Sequence, residues 1–119
     1  MPLAINEDGS VVCASEIPTG ATVFLMRTTE RSTVDAASRA ADSALLALHG
    51  NAPGVALFFD CVATRLRMGN AFGSELAVIA DKLGGAAFVG CNTHGQIARA
   101  EGQFGGFHNC TAVVCVLPA

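Results

Sequence analysis

The first part of the chain alternates apolar and polar positions with a period of two, the pattern of half-buried strands. Val11–Ile17 shows this alternation, and Thr22–Arg27 follows as another short strand. Asn6–Gly9 is a turn signal before the first of them. Pro18–Gly20 joins the two, because proline presets φ and glycine accepts a positive φ. The pattern predicts an antiparallel meander.

The period then changes to that of an amphipathic helix. Ser32, with Asp35 three residues later, resembles a capping box and predicts that the first helix starts there. Gly50 predicts its end. The apolar positions at helical spacing are Val34, Ala37, Ala41, Ala44, Leu45 and Leu48. A second helix is predicted over Gly73–Leu83, before two glycines.

Three further apolar runs predict the remaining strands. Gly54–Cys61 is continuously apolar until its aspartate, which is typical of a strand covered on both faces. Ala86–Ala98 and Cys110–Leu117 follow, joined by a glycine-rich connection. The order predicts one α+β domain over residues 1–119, with a mixed, largely antiparallel sheet of about five or six strands and two helices packed on one face.

Composition narrows the classes of function. Apolar residues make up 51% of the chain and charged residues 14%, which excludes intrinsic disorder. The net charge of −3, without a cluster of cations, argues against nucleic acid as a partner and against a polybasic membrane contact. Every apolar run is too short to cross a membrane, and Met1–Ser10 lacks the features of a secretory signal. We expect a soluble cytoplasmic domain that forms a homo-oligomer or packs on a partner signalling domain, since few charges cover its surface.

The five cysteines lie in or beside apolar runs, and no two are spaced as Cys-x-x-Cys. The chain therefore carries no zinc-knuckle or haem-attachment motif, and we predict neither a metal site nor a cofactor. We expect unpaired, slowly reacting thiols packed as small hydrophobic side chains.

Polar side chains interrupt the apolar strands at three places, and these are the candidates for a binding site. If the strands beginning at Gly54 and Ala86 are parallel, their carboxyl ends lie together, where ligands collect in such units. We also expect Ala86–Ala98 to pair antiparallel with Cys110–Leu117, which would put His94, Gln96 and Asn109 on one face. The candidate ligand-binding residues are Thr64, Arg65, Asn92, His94, Gln96, His108 and Asn109. The pocket formed by His94, Gln96 and Asn109 would suit a neutral or weakly polar ligand.

Other interpretations remain open at this point. One is that these polar side chains have a structural role alone and satisfy the hydrogen bonds of backbone groups in turns and at strand edges. Cys61 or Cys91 could act as a thiolate nucleophile with His94 or His108 as its base, although neither cysteine has an evident helix N-terminus beside it. A histidine could also hold haem in a gas sensor, for which a single histidine without a motif is weak evidence.

Several short segments, in this order, resemble one family. They are Ile17–Ala21 (IPTGA), Gly54–Cys61 (GVALFFDC), Leu66–Gly69 (LRMG), Glu75-Leu76, Gly95–Ala98 (GQIA) and Phe107–Val114 (FHNCTAVV). The set resembles the C-terminal FIST domain, a sensory module of bacterial signal-transduction proteins. The resemblance implies cytoplasmic sensing of a small ligand, such as an amino-acid-like molecule, without catalysis.

The chain departs from this family's pattern at three positions that usually carry a charge. With Cys61 and Gly69 as anchors, the family's arginine corresponds to Thr64, and Arg65 comes one residue late. The glutamate of the family's Gly-Glu-Ile segment corresponds to Gln96, and its lysine to Cys110. If the family's ligand site uses those charges, this chain binds a less polar ligand or has lost that ligand.

Overall fold

The computed structural model describes residues 2–99 and 106–119 and has an α+β fold, as predicted. The strands are β1 (Pro2–Ile5), β2 (Val11–Cys13), β3 (Pro53–Cys61), β4 (Ala87–Thr93), β5 (Gln96–Ala98), β6 (Gly106–His108) and β7 (Val113–Pro118). The helices are α1 (Glu30–Leu46), α2 (Val62–Met68) and α3 (Phe72–Lys82), and a 3-10 turn (Gly69–Ala71) joins the last two.

A three-stranded sheet in the order β4-β3-β7 is the centre of the fold. β3 and β4 are parallel, because α2 and α3 form the crossover between them, which meets the condition set in the sequence analysis. β7 lies antiparallel on the other edge of β3. The parallel pairing brings the ends of both strands together, with Cys61 level with Thr93.

The other strands do not join this sheet, so the predicted sheet of five or six strands is divided into three sheets. β1 pairs with β2, and β5 pairs with β6, as separate two-stranded hairpins. Two features account for the difference. Within residues 2–99 and 106–119, Thr22–Arg27 does not form the predicted strand, and the predicted strand Ala86–Ala98 is broken by a bend at His94-Gly95. The second half of that strand therefore leaves the sheet and pairs with β6.

α3 follows the sequence prediction closely, whereas α2 was not predicted and α1 begins earlier than predicted. Thr29 is its N-cap: the Thr29 hydroxyl accepts a hydrogen bond from the Ser32 backbone N–H at 3.1 Å, and the Ser32 hydroxyl accepts one from the Thr29 N–H at 2.9 Å. Ser32 therefore occupies the third helical position of a capping box instead of the cap itself. Thr29 is the N-cap, and not Ser32, because Thr29 has the extended backbone angles that an N-cap residue adopts.

The core lies between the sheet and the two long helices. α1 and α3 pack on each other, and both contribute to one apolar cluster with the inward side chains of β3. Its buried members are Ala37, Ala41, Ala56, Phe58, Met68, Phe72, Ile79 and Leu83. In the described residues the helices cover only this face of the sheet. The prediction that β3 is covered on both faces is therefore not met within the described chain.

No helix in residues 2–99 and 106–119 is long and apolar enough to span a bilayer.

The cysteines are distributed differently from the prediction that all are packed inside. Cys61 is buried and Cys13 is half-buried, but Cys91, Cys110 and Cys115 are exposed. That expectation is wrong for the exposed three. Cys91 and Cys115 are exposed because alternation along a strand sends every second side chain away from the helices, and Cys110 lies in a bend after β6.

Candidate functional site

Two cavities lie on opposite sides of the carboxyl end of β3. The first, the outer cavity, has a volume of about 190 Å³ and is lined by Phe59, Thr93, Gly95, Gln96, Ile97 and Val113. The second, the acidic cavity, has a volume of about 70 Å³ and is lined by Thr28, Ser32, Thr33, Ala36, Asp60, Thr64, Arg67, Glu75, Cys110 and Ala112. Successive residues of β3 line the two cavities, because Phe59 and Asp60 point to opposite faces of the sheet.

The outer cavity contains one of the residues predicted from the sequence. Gln96 is buried, and its Nε2 donates to the Thr93 Oγ1 at 2.8 Å and to the Thr93 carbonyl at 3.2 Å. The Thr93 hydroxyl in turn donates to the Gly95 carbonyl at 3.0 Å. These bonds close the bend that ends β4. The Gln96 Oε1 has no hydrogen-bond partner among the described residues, so one acceptor remains available at this cavity.

The histidine and asparagine predicted to share a face with Gln96 lie elsewhere. His94 is exposed in the bend and lines neither cavity. Asn109 follows β6, and its Nδ2 donates to the Ser15 Oγ at 2.9 Å, which ties the β1–β2 segment to this part of the fold. The residue level with Gln96 is His108. The expected pairing is wrong because β5 pairs with β6, whereas β7 pairs with β3.

The remaining candidates lie around the acidic cavity, and only Thr64 lines it. Arg65 is exposed: its Nη1 donates to the Gly69 carbonyl at 2.9 Å, and its guanidinium lies 5.0 Å from the centre of the Phe72 ring. The Asn92 Nδ2 is 3.5 Å from the Asp60 Oδ2 and so approaches the site from β4. The structure thus divides the seven residues among several places and does not bring them into one pocket.

The acidic cavity combines two buried carboxylates with a buried hydroxyl. Glu75 on α3 is fully buried, while Asp60 on β3 and Thr64 on α2 are 1% and 2% exposed. Neither oxygen of Glu75 nor the Thr64 Oγ1 has a hydrogen-bond partner among the described residues. Buried polar groups are normally satisfied, since leaving one without a partner costs about 1–3 kcal/mol. Three acceptors therefore converge on a space that can hold a donor.

The electrostatics of the two carboxyl groups are coupled. Burial raises the pKa of Asp60, and the Cys61 backbone N–H and the charge of Arg67 only partly oppose it. Burial, followed by the charge of Asp60, raises the pKa of Glu75 to about 7. Near neutral pH the site therefore holds a carboxyl group that is close to half ionised. A cation entering the cavity would favour the ionised form of both groups.

The start of α1 closes the acidic cavity. Thr33 is buried there, and its hydroxyl donates to the Thr29 carbonyl at 3.0 Å. The Ser32 side chain is part of the capping box, so both hydroxyl groups already have partners. On the opposite side, Arg67 lines the cavity and is largely exposed, which places a cation at the mouth of an otherwise acidic site.

Cys61 lies next to this cavity, at the N-cap of α2. Burial opposes ionisation of its thiol, but the backbone N–H groups of Cys110, Ala63 and Thr64 outweigh burial and lower the pKa of Cys61. The sequence interpretation that this cysteine has no helix N-terminus beside it is therefore wrong. The sequence does not reveal this helix N-terminus, because α2 follows β3 directly and no glycine, proline or capping side chain marks the boundary.

Neither acid is among the site residues predicted from the sequence, although the sequence carries a signal for both. Asp60 interrupts the apolar run of β3 at an inward position. Glu75 occupies a position between Phe72 and Ile79 on the buried stripe of α3, where an apolar residue is expected. A carboxylate in such a stripe is an unusual buried charge and indicates a special site. Within the described residues, no group of three or more potential metal-ligating side chains is arranged to hold a metal ion.

Comparison with known proteins gives one match. A family model described as the FIST C domain matches residues 1–99. No curated protein and no solved structure matches the chain. The match contains both carboxylates of the acidic cavity and Gln96 of the outer one, but not β6 or β7.

Proposed function

The chain belongs to the FIST C domain family, and from this premise we propose that it is a sensory domain that binds a small ligand in the acidic cavity without catalysing a reaction. The family's sensory and signal-transduction role agrees with this proposal. The ligand would present a cationic or hydrogen-bond-donating group to Asp60, Thr64 and Glu75.

The observation that carries the proposal is the state of Glu75. A fully buried carboxylate without a hydrogen-bond partner is unfavourable in an isolated domain. An ammonium group has three donors and a positive charge, so it could satisfy both Glu75 oxygens and the Thr64 hydroxyl together. A volume of about 70 Å³ admits a head group of this size, while the rest of the ligand would remain outside the cavity.

Arg67 extends the expected chemistry to the other end of the ligand. Arg67 lines the cavity and is exposed, so its guanidinium is available as a donor for an anionic group. A ligand with an ammonium group inside and a carboxylate near the mouth would match both charges. An amino-acid-like molecule has this arrangement. The acidic cavity therefore replaces the neutral pocket expected from the sequence.

The test is a titration of the full chain with three small probes, monitored through amide NMR chemical shifts. Methylammonium has only the cation, acetate only the anion, and glycine both. We expect binding of glycine and methylammonium but not acetate, and we expect affinity to rise from pH 6 to pH 8 as Glu75 ionises. Glu75→Gln should weaken binding of both at least about tenfold, because it removes a charge-assisted hydrogen bond.

Glu7→Gln is the matched control, since it removes the same charge from an exposed turn. It should leave the affinity unchanged. Equal binding of acetate and methylammonium, or an unchanged affinity in Glu75→Gln, would contradict a cation site at the acidic cavity. Absence of shifts with all three probes would contradict the ligand class.

A second candidate function rests on Cys61. Its lowered pKa and its position beside the acidic cavity would suit a thiolate nucleophile. The three histidines line neither cavity, so the imidazole base expected from the sequence is not provided. Reaction of Cys61 with a small thiol reagent faster than the exposed Cys115, with a pH midpoint below that of Cys115, would favour this alternative.

The setting of the domain is also part of the proposal. We place it in the bacterial cytoplasm, where the free thiols of Cys13, Cys61, Cys91 and Cys115 would remain reduced. A partner signalling domain would receive the signal.

A further inference from the structure

Two cysteines that are far apart in the sequence meet at the carboxyl end of β3. Cys61 is the last residue of β3, and Cys110 comes shortly before β7. These strands are antiparallel, with Phe59 level with Val113, so the chain beyond the last paired residues brings the two cysteines together. The Cys110 backbone N–H donates a hydrogen bond to the Cys61 sulfur, and the Cys110 thiol is hydrogen-bonded to the Cys61 side chain. The two sulfur atoms are therefore within hydrogen-bonding distance of each other.

The residues on both sides of Cys110 hold it in place. The Asn109 Nδ2 donates to the Ser15 Oγ at 2.9 Å, and the Thr111 hydroxyl donates to the Asn109 carbonyl at 3.2 Å. Cys110 itself has a positive φ of 55°, a conformation that residues other than glycine seldom adopt. Such a conformation persists only where the surrounding structure imposes it, and here both donors of Cys110 are engaged with Cys61.

The two thiols differ in exposure and in ionisation. Cys61 is 2% exposed, whereas Cys110 is exposed and lines the acidic cavity. Burial opposes ionisation of Cys61, but backbone N–H groups, that of Cys110 first among them, lower its pKa. Burial of the sulfur, followed by the charge of Cys61, raises the pKa of Cys110. Cys61 therefore ionises before Cys110 and is the stronger candidate for a thiolate, while Cys110 is the one that a reagent can reach.

We propose that Cys61 and Cys110 form a redox-active pair that a low-molecular-weight disulfide oxidises to an internal disulfide bond. The accessible Cys110 sulfur attacks the reagent first, which forms a mixed disulfide and releases one small thiol that carries away the Cys110 proton. The Cys61 thiolate then attacks the Cys110 sulfur. A bond between the two protein sulfurs forms, the bond from Cys110 to the reagent breaks, and a second small thiol leaves with the proton lost from Cys61. Two protein thiols are oxidised, and one reagent disulfide is reduced to two thiols.

The exposed cysteines of the central sheet do not form such a pair. Cys91 is on β4 and Cys115 is on β7, and these strands lie on opposite edges of β3. Neighbouring strands are about 4.8 Å apart, so the backbones at these two positions are separated by about 10 Å. A disulfide needs Cα atoms within about 7 Å of each other. An internal bond between Cys91 and Cys115 is therefore excluded by the sheet, although both are accessible to the same reagent.

Oxidation of the pair would fix the wall of the acidic cavity that Cys110 forms. The new bond would join the segment before β7 to the end of β3. A reducing cytoplasm keeps the pair as a dithiol, and an excess of a small disulfide converts it. This exchange does not depend on which ligand the acidic cavity binds.

The test uses the full chain, first reduced, then freed of reductant and treated with hydroxyethyl disulfide at neutral pH. Alkylation blocks the remaining thiols, and peptide mass spectrometry without reduction locates the disulfide. We expect one internal crosslink, between the peptides of Cys61 and Cys110, formed at a rate that does not depend on protein concentration. In the urea-unfolded chain this crosslink should form at least about tenfold more slowly, because the contact that raises the effective concentration is lost.

Three variants separate the two steps. Cys61→Ser should accumulate the mixed disulfide on Cys110, because the second thiolate is missing. Cys110→Ser should form no internal crosslink, and since this position is exposed, it gives a folded chain even if the buried Cys61→Ser does not fold. Cys115→Ser is the matched control: it removes an exposed cysteine outside the pair and should leave the crosslink unchanged.

Several outcomes would overturn the proposal. One is a lasting mixed disulfide on Cys110 of the unaltered chain without the crosslink, because Cys61 would then not be placed to attack it. Another is a mixture of crosslinks among all the cysteines, or a chain that forms no disulfide with the reagent. A crosslink from Cys61 to a different cysteine in folded Cys110→Ser would also count against it, since the contact with Cys110 would then not decide the reaction.

Discussion

The replacement of Glu75 by glutamine should make the domain more stable above neutral pH. Glutamine keeps the shape of the side chain but cannot ionise. In the folded chain burial, followed by the charge of Asp60, raises the pKa of Glu75 to about 7, against its ordinary value of 4.5. The ionised form is therefore disfavoured in the folded state relative to the unfolded state, and folding must work against this cost wherever the unfolded chain would be ionised.

The sign and the size follow from these two values. Because the folded pKa is the higher one, stability is greatest below pH 4.5 and falls as the pH rises from there through 7. The loss is complete above about pH 7.5 and amounts to about 3 kcal/mol, from 1.36 kcal/mol for each pH unit between the two values. Glu75→Gln removes this loss. It should match the unaltered chain within about 1 kcal/mol at pH 5 and exceed it by about 2–3 kcal/mol at pH 8.

Urea unfolding at fixed protein concentration and at several pH values from 5 to 8 measures both curves. Glu7→Gln serves again as the control, and its curve should run parallel to that of the unaltered chain. If the difference between Glu75→Gln and the unaltered chain stays constant over this range, Glu75 does not titrate as argued. If Glu75→Gln is less stable at every pH, its carboxylate has a partner in the folded state, and the reasoning about the acidic cavity fails.

Three other predictions concern stability and thiol reactivity. Thr29→Ala should lower the free energy of unfolding by about 1 kcal/mol, measured by urea titration, because it removes the capping box of α1; no change would show that the cap is not needed. Gly90→Ala should cost about 2–3 kcal/mol in the same assay, because a Cβ there would collide with the Phe58 carbonyl of the adjacent strand. Gly73→Ala, with nothing near its Cβ, should instead be neutral or stabilising, and similar losses at both positions would refute the packing argument. Cys115 should be alkylated faster than Cys61 in the monomer at neutral pH, as followed by mass spectrometry, because Cys61 is 2% exposed in spite of its lowered pKa; the reverse order would support the enzyme alternative.

Local patterns in the sequence were enough to locate most of the elements. The Pro18–Gly20 turn forms as predicted, with the Ala21 N–H donating to the Pro18 carbonyl and a positive φ at Gly20. α3 agrees with its prediction to within one residue at each end, and β3 agrees with the run that begins at Gly54. These features depend on periodicity and on backbone preferences within a few residues, which a single chain carries in full. The α+β class and the family resemblance follow from their order.

The pairing of strands and the composition of the site depended on tertiary structure. β7 could have paired with β4 across the glycine-rich connection, but it pairs with β3, because the bend at His94-Gly95 takes β5 out of the sheet. This choice moved Asn109 away from Gln96 and carried Cys110 to the acidic cavity. Contacts between residues far apart in sequence decide such pairings, and local propensity carries no information about those contacts.

The two acids of the candidate site show the same division most clearly. The sequence by itself determined that Asp60 lies on an inward position of a strand and Glu75 on the apolar stripe of a helix. Only the packing of α3 beneath β3 determined that the two carboxyl groups share one cavity and that the charge of Asp60 raises the pKa of Glu75. Each residue alone is an anomaly in an apolar pattern. Their coupling arises because burial removes the water that would otherwise screen one charge from the other.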